Sequence, residues 1–259
     1  MPRCTAKSLD VFSDGKGLPP GAFFEGSGLL FRFLDKIFVV CYKFSASYKF
    51  VGDRMKTKEY SLREKKHAQT KIALMNAFIK RLERARFEDI SIREICQIVE
   101  VSEGTFFNYF SAKIDIIHYY SSLVFLKVSW QAQKEVPAGK NLAFIEAVFK
   151  NVAAEISHGN VIYQMLSIMI MQKEKPKAVI ISDVEKQFLF SGCAGIEDVP
   201  IKFIDDILAD RLNAALKNGE LPRTTKVEDA QVSLMTILGG TLLATRFTRT
   251  KDQTYHLMR

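Results

Sequence analysis

The chain has little that covalent cross-linking, metal binding or catalysis would require. Its four cysteines, Cys4, Cys41, Cys96 and Cys193, show no C-x-x-C spacing and no regular framework, so neither a zinc site nor a disulfide scaffold is specified. Such usage fits a reducing compartment, and a cytoplasmic location is expected. The four histidines, His67, His118, His158 and His256, are too scattered to suggest a metal site. There is no G-x-x-x-x-G-K-[ST], no G-x-S-x-G and no H-E-x-x-H. No catalytic residue, metal or cofactor is expected, and nothing argues for an enzyme. Long apolar runs are missing as well. The most apolar stretch, Leu29 to Phe44, is interrupted by Arg32, Asp35, Lys36 and Lys43, whereas crossing a bilayer takes roughly twenty uninterrupted apolar residues. No segment sustains period-two alternation, so the expected fold class is all-α.

What is present is ordinary in amount and uneven in distribution. Of the 259 residues, 47% are hydrophobic and 25% charged, and the net charge is +8. A dispersed charge of that size says little, because many basic proteins bind nothing acidic. Between Lys56 and Arg86, however, ten Lys or Arg stand against three Glu. Within the same stretch Ala68, Ile72, Met75, Ile79 and Leu82 follow spacings of 4, 3, 4 and 3, the pattern of an amphipathic helix. Residues 1–54 differ in character: eight Phe, two Tyr, a Gly/Pro cluster at 15–21 and no sustained period. They lack the basic, apolar and small-residue regions of a signal peptide. The reading favoured here is a translation start at Met55; the alternative is an extension with a short amphipathic helix or hairpin over Phe31 to Phe50.

The most informative segment is Phe87 to Ile117, FEDISIREICQIVEVSEGTFFNYFSAKIDII. Ser91 followed by Glu94 predicts a capping box opening a helix. Ile92, Ile95, Cys96 and Val99 recur at i, i+3, i+4, i+7, one buried stripe of two turns, with Cys96 a small core residue. Glu100-Val101 is too short for a loop, and Ser102 caps a second helix from Gly104 to Phe110. On it Phe106 and Phe110 share an apolar face, while Thr105, Asn108 and Tyr109 take the other flanks. A short helix held by its neighbours, with polar residues facing outward, suits the DNA major groove.

This order of residues resembles the DNA-binding domain of the TetR family of bacterial transcription regulators. The matching runs are Ile90 to Ile95, Val101 to Phe110, and Lys113 to Ile117. The resemblance implies an N-terminal three-helix domain with a helix-turn-helix (residues 55–118, motif 91–110), then a helical effector-binding and dimerisation domain (119–259). It also places Arg93, Thr105, Phe107, Asn108, Tyr109 and Lys113 on double-stranded DNA. Arg93 is suited to a bidentate guanine contact or to a phosphate, Asn108 to a bidentate adenine contact, and Thr105, Tyr109 and Lys113 to phosphates. Three positions depart from the pattern. Phe107 stands where many relatives carry Tyr, Glu103 where a basic residue is common, and Glu100 at a turn position often filled by Gly. A left-handed Glu100 would cost roughly 1–2 kcal/mol.

Downstream, helical patterns are expected over Ile114 to about Lys134, Asn141 to about Ser157, Val161 to Gln172, Ala178 to about Phe190, Pro200 to Lys217 and Val227 to about Thr248. The Val161 helix is apolar nearly all round and should be buried. Phe125, Phe144, Tyr163, Met165, Met169 and Phe188 are candidates for an effector pocket. Adjacent Gly239-Gly240 suggests close backbone approach across a dimer interface. The resemblance implies a dimeric repressor that a small molecule releases from a palindromic operator. The alternative is a helical scaffold or interaction protein that has lost operator binding, as acidic Glu100 and Glu103 hint. The final helix of some relatives has no counterpart after Tyr255, which leaves a truncated C-terminus as one reading.

Overall fold

A computed structural model describes residues 59–157, 161–172 and 179–248, all within the unit Phe50–Arg259. The expectations for residues 1–54, Met55, the turn at 158–160 and the C-terminal tail lie outside the described residues. Among the described residues the chain is all helical: α1 Leu62–Leu82, α2 Ile92–Val99, α3 Glu103–Tyr109, α4 Lys113–Glu135, α5 Asn141–Ser157, α6 Val161–Ile170, α7 Asp183–Leu189, α8 Ile204–Lys217 and α9 Val227–Thr248. A single 3-10 turn, Ile196–Asp198, lies between α7 and α8. No helix among them is long and apolar enough to cross a membrane.

Helix α1 starts at a capping box: the Glu64 amide donates to the Ser61 hydroxyl at 3.3 Å, and the Ser61 amide to Glu64 Oε2 at 2.9 Å. Its buried face contains the expected Ala68, Met75 and Leu82, widened by Leu74 and Phe78. The widening follows from its neighbours, because α1 packs against α2 and α4 and also against α6 and α7. Ile95 and Cys96 of α2, Phe106 and Phe110 at α3, and Ile116 and Ile117 of α4 complete this core, each at most 2% exposed.

The expected box at Ser91 does not form. The Ser91 side chain makes no capping bond, because Glu94 is drawn to Arg81 of α1 at 3.1 Å. The turn after α2 has instead the bond pattern of a Schellman motif, with Val101 N–H donating to Cys96 O at 3.0 Å and Glu100 N–H to Gln97 O at 3.3 Å. Glu100 sits in the left-handed region, φ 59°, ψ 43°.

Helix α4 runs through the middle and is buried on nearly every side, from Ile116 and Tyr119 to Trp130 and Ala132. It packs on α1, α5 and the 3-10 turn, while α5 packs in turn on α8, and α8 on α9. Glu220, after α8, accepts from the Leu142 and Asn141 amides at 3.1 Å each. These two bonds at the start of α5 hold its carboxyl below the usual range.

Three expected helices are revised. α6 ends at Ile170, and Met171 is 81% exposed. Val161, Ile162, Tyr163 and Met165 are buried, but Leu166, Ile168 and Met169 are only half covered. α7 begins at Asp183 rather than Ala178, where Ser182 and Glu185 form a capping box. α8 begins at Ile204, with Phe203 at its N-cap, so Pro200 precedes the helix instead of entering its first turn.

Candidate nucleic-acid interface

Helix α2 packs on α1, and α3 on α2, with their apolar sides turned inward. Phe106 is fully buried and meets Phe110 with ring centroids 5.8 Å apart. Full burial of one such side chain contributes about 1.5–3 kcal/mol, which is what a seven-residue helix needs from its surroundings. Ser102 fixes the start of α3, its hydroxyl accepting from the Thr105 amide at 3.0 Å and lying 2.9 Å from the Thr105 hydroxyl.

Of the six residues assigned to DNA from the sequence, Arg93, Phe107 and Asn108 are exposed. Phe107 is 49% exposed and packs edge-on against Phe106 at 5.3 Å. Thr105 and Tyr109 are half-buried on the flanks of α3. These five belong to α2 and α3, and an exposed amide with an exposed aromatic edge matches what base-edge readout demands.

Lys113 differs. Its ammonium donates to three backbone carbonyls, Phe87 at 2.7 Å, Glu88 at 3.2 Å and Ile90 at 3.2 Å, and sits 4.6 Å from the centroid of the Phe87 ring. All three of its donors are thus spent inside the protein, closing the turn that leads into α2.

The basic run of α1 divides in a similar way. Lys71 is largely covered and pairs with buried Glu185 at 2.8 Å, Arg81 pairs with Glu94, and, just beyond the helix, Arg86 with Asp89 at 2.9 Å. The bidentate Arg86 contact holds the exposed Asp89 carboxyl below its ordinary range. Toward the start of α1, Arg63, Lys66, His67 and Thr70 line an open concavity of about 590 Å³ together with Leu62 and Tyr109 of α3. His67 and Tyr109 face each other with ring centroids 4.6 Å apart. The sequence marked this run as basic but gave no sign that α1 meets the recognition helix at Tyr109. The only available signal was the 3.6-residue period, which sets Arg63, Lys66, His67 and Thr70 on one face.

The effector-pocket candidates are dispersed. Phe125, Phe144, Tyr163 and Met165 are buried at 5% exposure or less, Met169 is half-buried, and Phe188 is 43% exposed. Arg211 covers the Phe144 ring at 3.7 Å, and the Ser121 hydroxyl lies 3.2 Å from Met169 Sδ. None of the six lines the α1–α3 concavity or the shallow one along α9.

No protein-family model and no curated protein matches the chain. Among solved structures it is similar to the reduced form of E. coli NemR, with 14% identity and a TM-score of 0.48 over 73% of this chain and 94% of that one. It is also similar to the TetR family protein CprB from S. coelicolor A3(2), with 15% identity and a TM-score of 0.44 over 74% and 98% of the two chains. A third likeness is to the TetR family transcriptional regulator PfmR from Thermus thermophilus, at 17% identity and a TM-score of 0.37 over 71% and 97%. The structural neighbours of the chain thus include TetR family transcription regulators.

Proposed function

We propose that the chain is a sequence-specific DNA-binding transcription regulator, a homodimeric repressor released from a palindromic operator by a small-molecule effector. In this reading residues 55–118 carry the reading head and 119–259 sense the effector and dimerise. α4 crosses from one to the other and couples them. The observation that carries it is α3: a capped seven-residue helix, anchored by Phe106, that turns Phe107 and Asn108 to solvent. Asn108 is suited to adenine N6/N7 and the Phe107 edge to a thymine methyl.

One such helix covers few base pairs, and a two-fold dimer would read two half-sites at a spacing fixed by its own shape. Exposed apolar residues on α9, with Val232 and Leu243 on one face, support self-association. Val232 is 66%, Ile237 42% and Leu243 58% exposed, and a Cβ on Gly239 or Gly240 would meet nothing within 4 Å. Effector release then requires a ligand that prefers the DNA-incompetent shape.

The test is binding to duplexes from the region upstream of the protein's own gene. Asn108→Ala and Arg93→Ala are expected to change base preference at defined positions, each costing on the order of 1–3 kcal/mol. Unchanged preference in both variants would remove α2 and α3 as the reading face.

A further inference from the structure

We infer that the phosphate anchor beside the recognition helix is the notch between α1 and α3, with Arg63 and Lys66 supplying the charge and Tyr109 a hydroxyl, and that Lys113 takes no part in it. This rests on the DNA-binding reading above and names which atoms hold the backbone. The start of the helix after α3 is the obvious place for a phosphate contact by sequence. In this chain its lysine is committed elsewhere, since moving the Lys113 ammonium to a phosphate would strand three carbonyls at the Phe87–Ile90 turn. Unpaired carbonyls of that kind are costly when partly buried.

The charge is available one helix away. Arg63 and Lys66 are exposed, adjacent on one face of α1, and without a carboxylate partner among the described residues, unlike Lys71, Arg81 and Arg86. They border the same open concavity as Tyr109, which is the polar residue on the flank of α3 nearest α1. The His67 ring, 4.6 Å from that of Tyr109, packs against the tyrosine from α1. Thr70 turns its own hydroxyl back to Lys66 O at 3.0 Å, so it shapes the wall rather than donating outward. Leu62, 68% exposed, adds an apolar edge suited to a deoxyribose. Two cations, a phenol and an apolar lip around one open concavity match a sugar-phosphate segment that passes α3 in the major groove.

The experiment uses the full 259-residue chain and a labelled mixed-sequence duplex, with affinity followed between about 50 and 200 mM salt. Removing two phosphate contacts from each reading head should flatten the slope of log K against log salt by about 1.8 and weaken binding roughly 60-fold near 0.1 M for every head engaged. That is the result expected for Arg63→Gln combined with Lys66→Gln, with an unchanged thermal melt since both side chains are exposed. Lys113→Met, measured below its own melting temperature, should keep the wild-type slope. A wild-type slope in the double variant, or a flattened one in Lys113→Met, overturns the assignment. If Asn108→Ala still shifts base preference in that case, the DNA-binding reading survives alone. If the wild-type chain binds no duplex, both fall together. Saturable binding of inorganic phosphate at matched ionic strength, lost in the double variant while duplex affinity stays the same, overturns it in favour of a small-anion site.

Discussion

At Glu100 a single side chain sits where the backbone favours none. The Schellman bonds from Val101 and Glu100 fix φ at 59°, and glycine is the residue that accepts this conformation without penalty. Relief of roughly 1–2 kcal/mol is partly offset by about 0.5–1 kcal/mol of added freedom in the unfolded chain. Glu100→Gly should therefore raise stability by about 0.5–1 kcal/mol, read as a melting temperature a few degrees higher; a lower one would mean that the carboxylate has a task the turn geometry does not reveal. Lys113→Met should do the opposite and cost about 2 kcal/mol, because a charged donor shared among three carbonyls is lost. A urea titration of the variant checks this. His118 gives a prediction in pH. Burial pushes its imidazole below 6.5, against a smaller upward pull from Asp115, and Nε2 finds no hydrogen-bond partner among the described residues. A histidine with a depressed folded-state value contributes stability at pH above about 6.5 that is lost as pH falls toward that value, since only the unfolded chain takes up the proton in this window. Melting curves between about pH 7 and 5 should show that loss in the wild type and less of it in His118→Gln.

Among the elements, α7 shows how a short helix is held in place. Glu185 caps it through the Ser182 amide at 2.6 Å and also pairs with Lys71 of α1 at 2.8 Å, with side chains 3% and 13% exposed. Lys71 further donates to Ile180 O at 3.1 Å and lies 4.2 Å from the Tyr119 ring centroid. Glu185→Ala should cost about 3 kcal/mol, the low end for a broken buried pair, because the largely covered ammonium keeps only Ile180 O and the Tyr119 ring, and Lys71→Met combined with it should recover part of that loss. Equal losses in the single and double variants would show that the pair does not couple α1 to α7. The same ion pair marks the limit of what the sequence discloses. α2, α3, α4 and α9 have the expected bounds within a residue or so, since their periodicity, caps and breakers are local signals. Side chains that could satisfy either a neighbour in sequence or one across the fold are where expectation and structure part. Glu94 leaves Ser91 for Arg81, Lys113 turns inward to the Phe87–Ile90 turn, and the apolar run of α6 is half uncovered at Leu166 to Met169. The exposure of Arg93, Phe107 and Asn108 was legible because amphipathicity alone separates them from Phe106. Arg63, Lys66 and His67 were not, since only tertiary packing sets α1 beside Tyr109.

For the whole molecule, the proposed two-headed reader depends on α9. Among the described residues the outward side of this helix is left open: Val232, Met235 and Thr236 line a shallow concavity with Glu228 and Gln231, and exposed Leu243 lies further along the same side. Gly239 and Gly240 weaken the helix by about 1 kcal/mol each relative to alanine. Open space above both leaves that cost without a return inside the single chain, whereas a partner backbone could use the room. The acidic end at Glu228 and Asp229 supplies polar rim rather than apolar core. Sedimentation should therefore show a dimer that Val232→Arg converts to a monomer, while helix content and the core around α1 and α4 remain unchanged. Such a monomer would keep the salt-dependent contacts of one head and lose the gain from a second half-site, so its affinity for a palindrome should fall to that for a single half-site. If Val232→Arg sediments as the wild type does, α9 is not the interface. If the variant is monomeric yet binds the palindrome as tightly as before, the two heads do not act together, and the coupling of spacing to effector through α4 is lost with them.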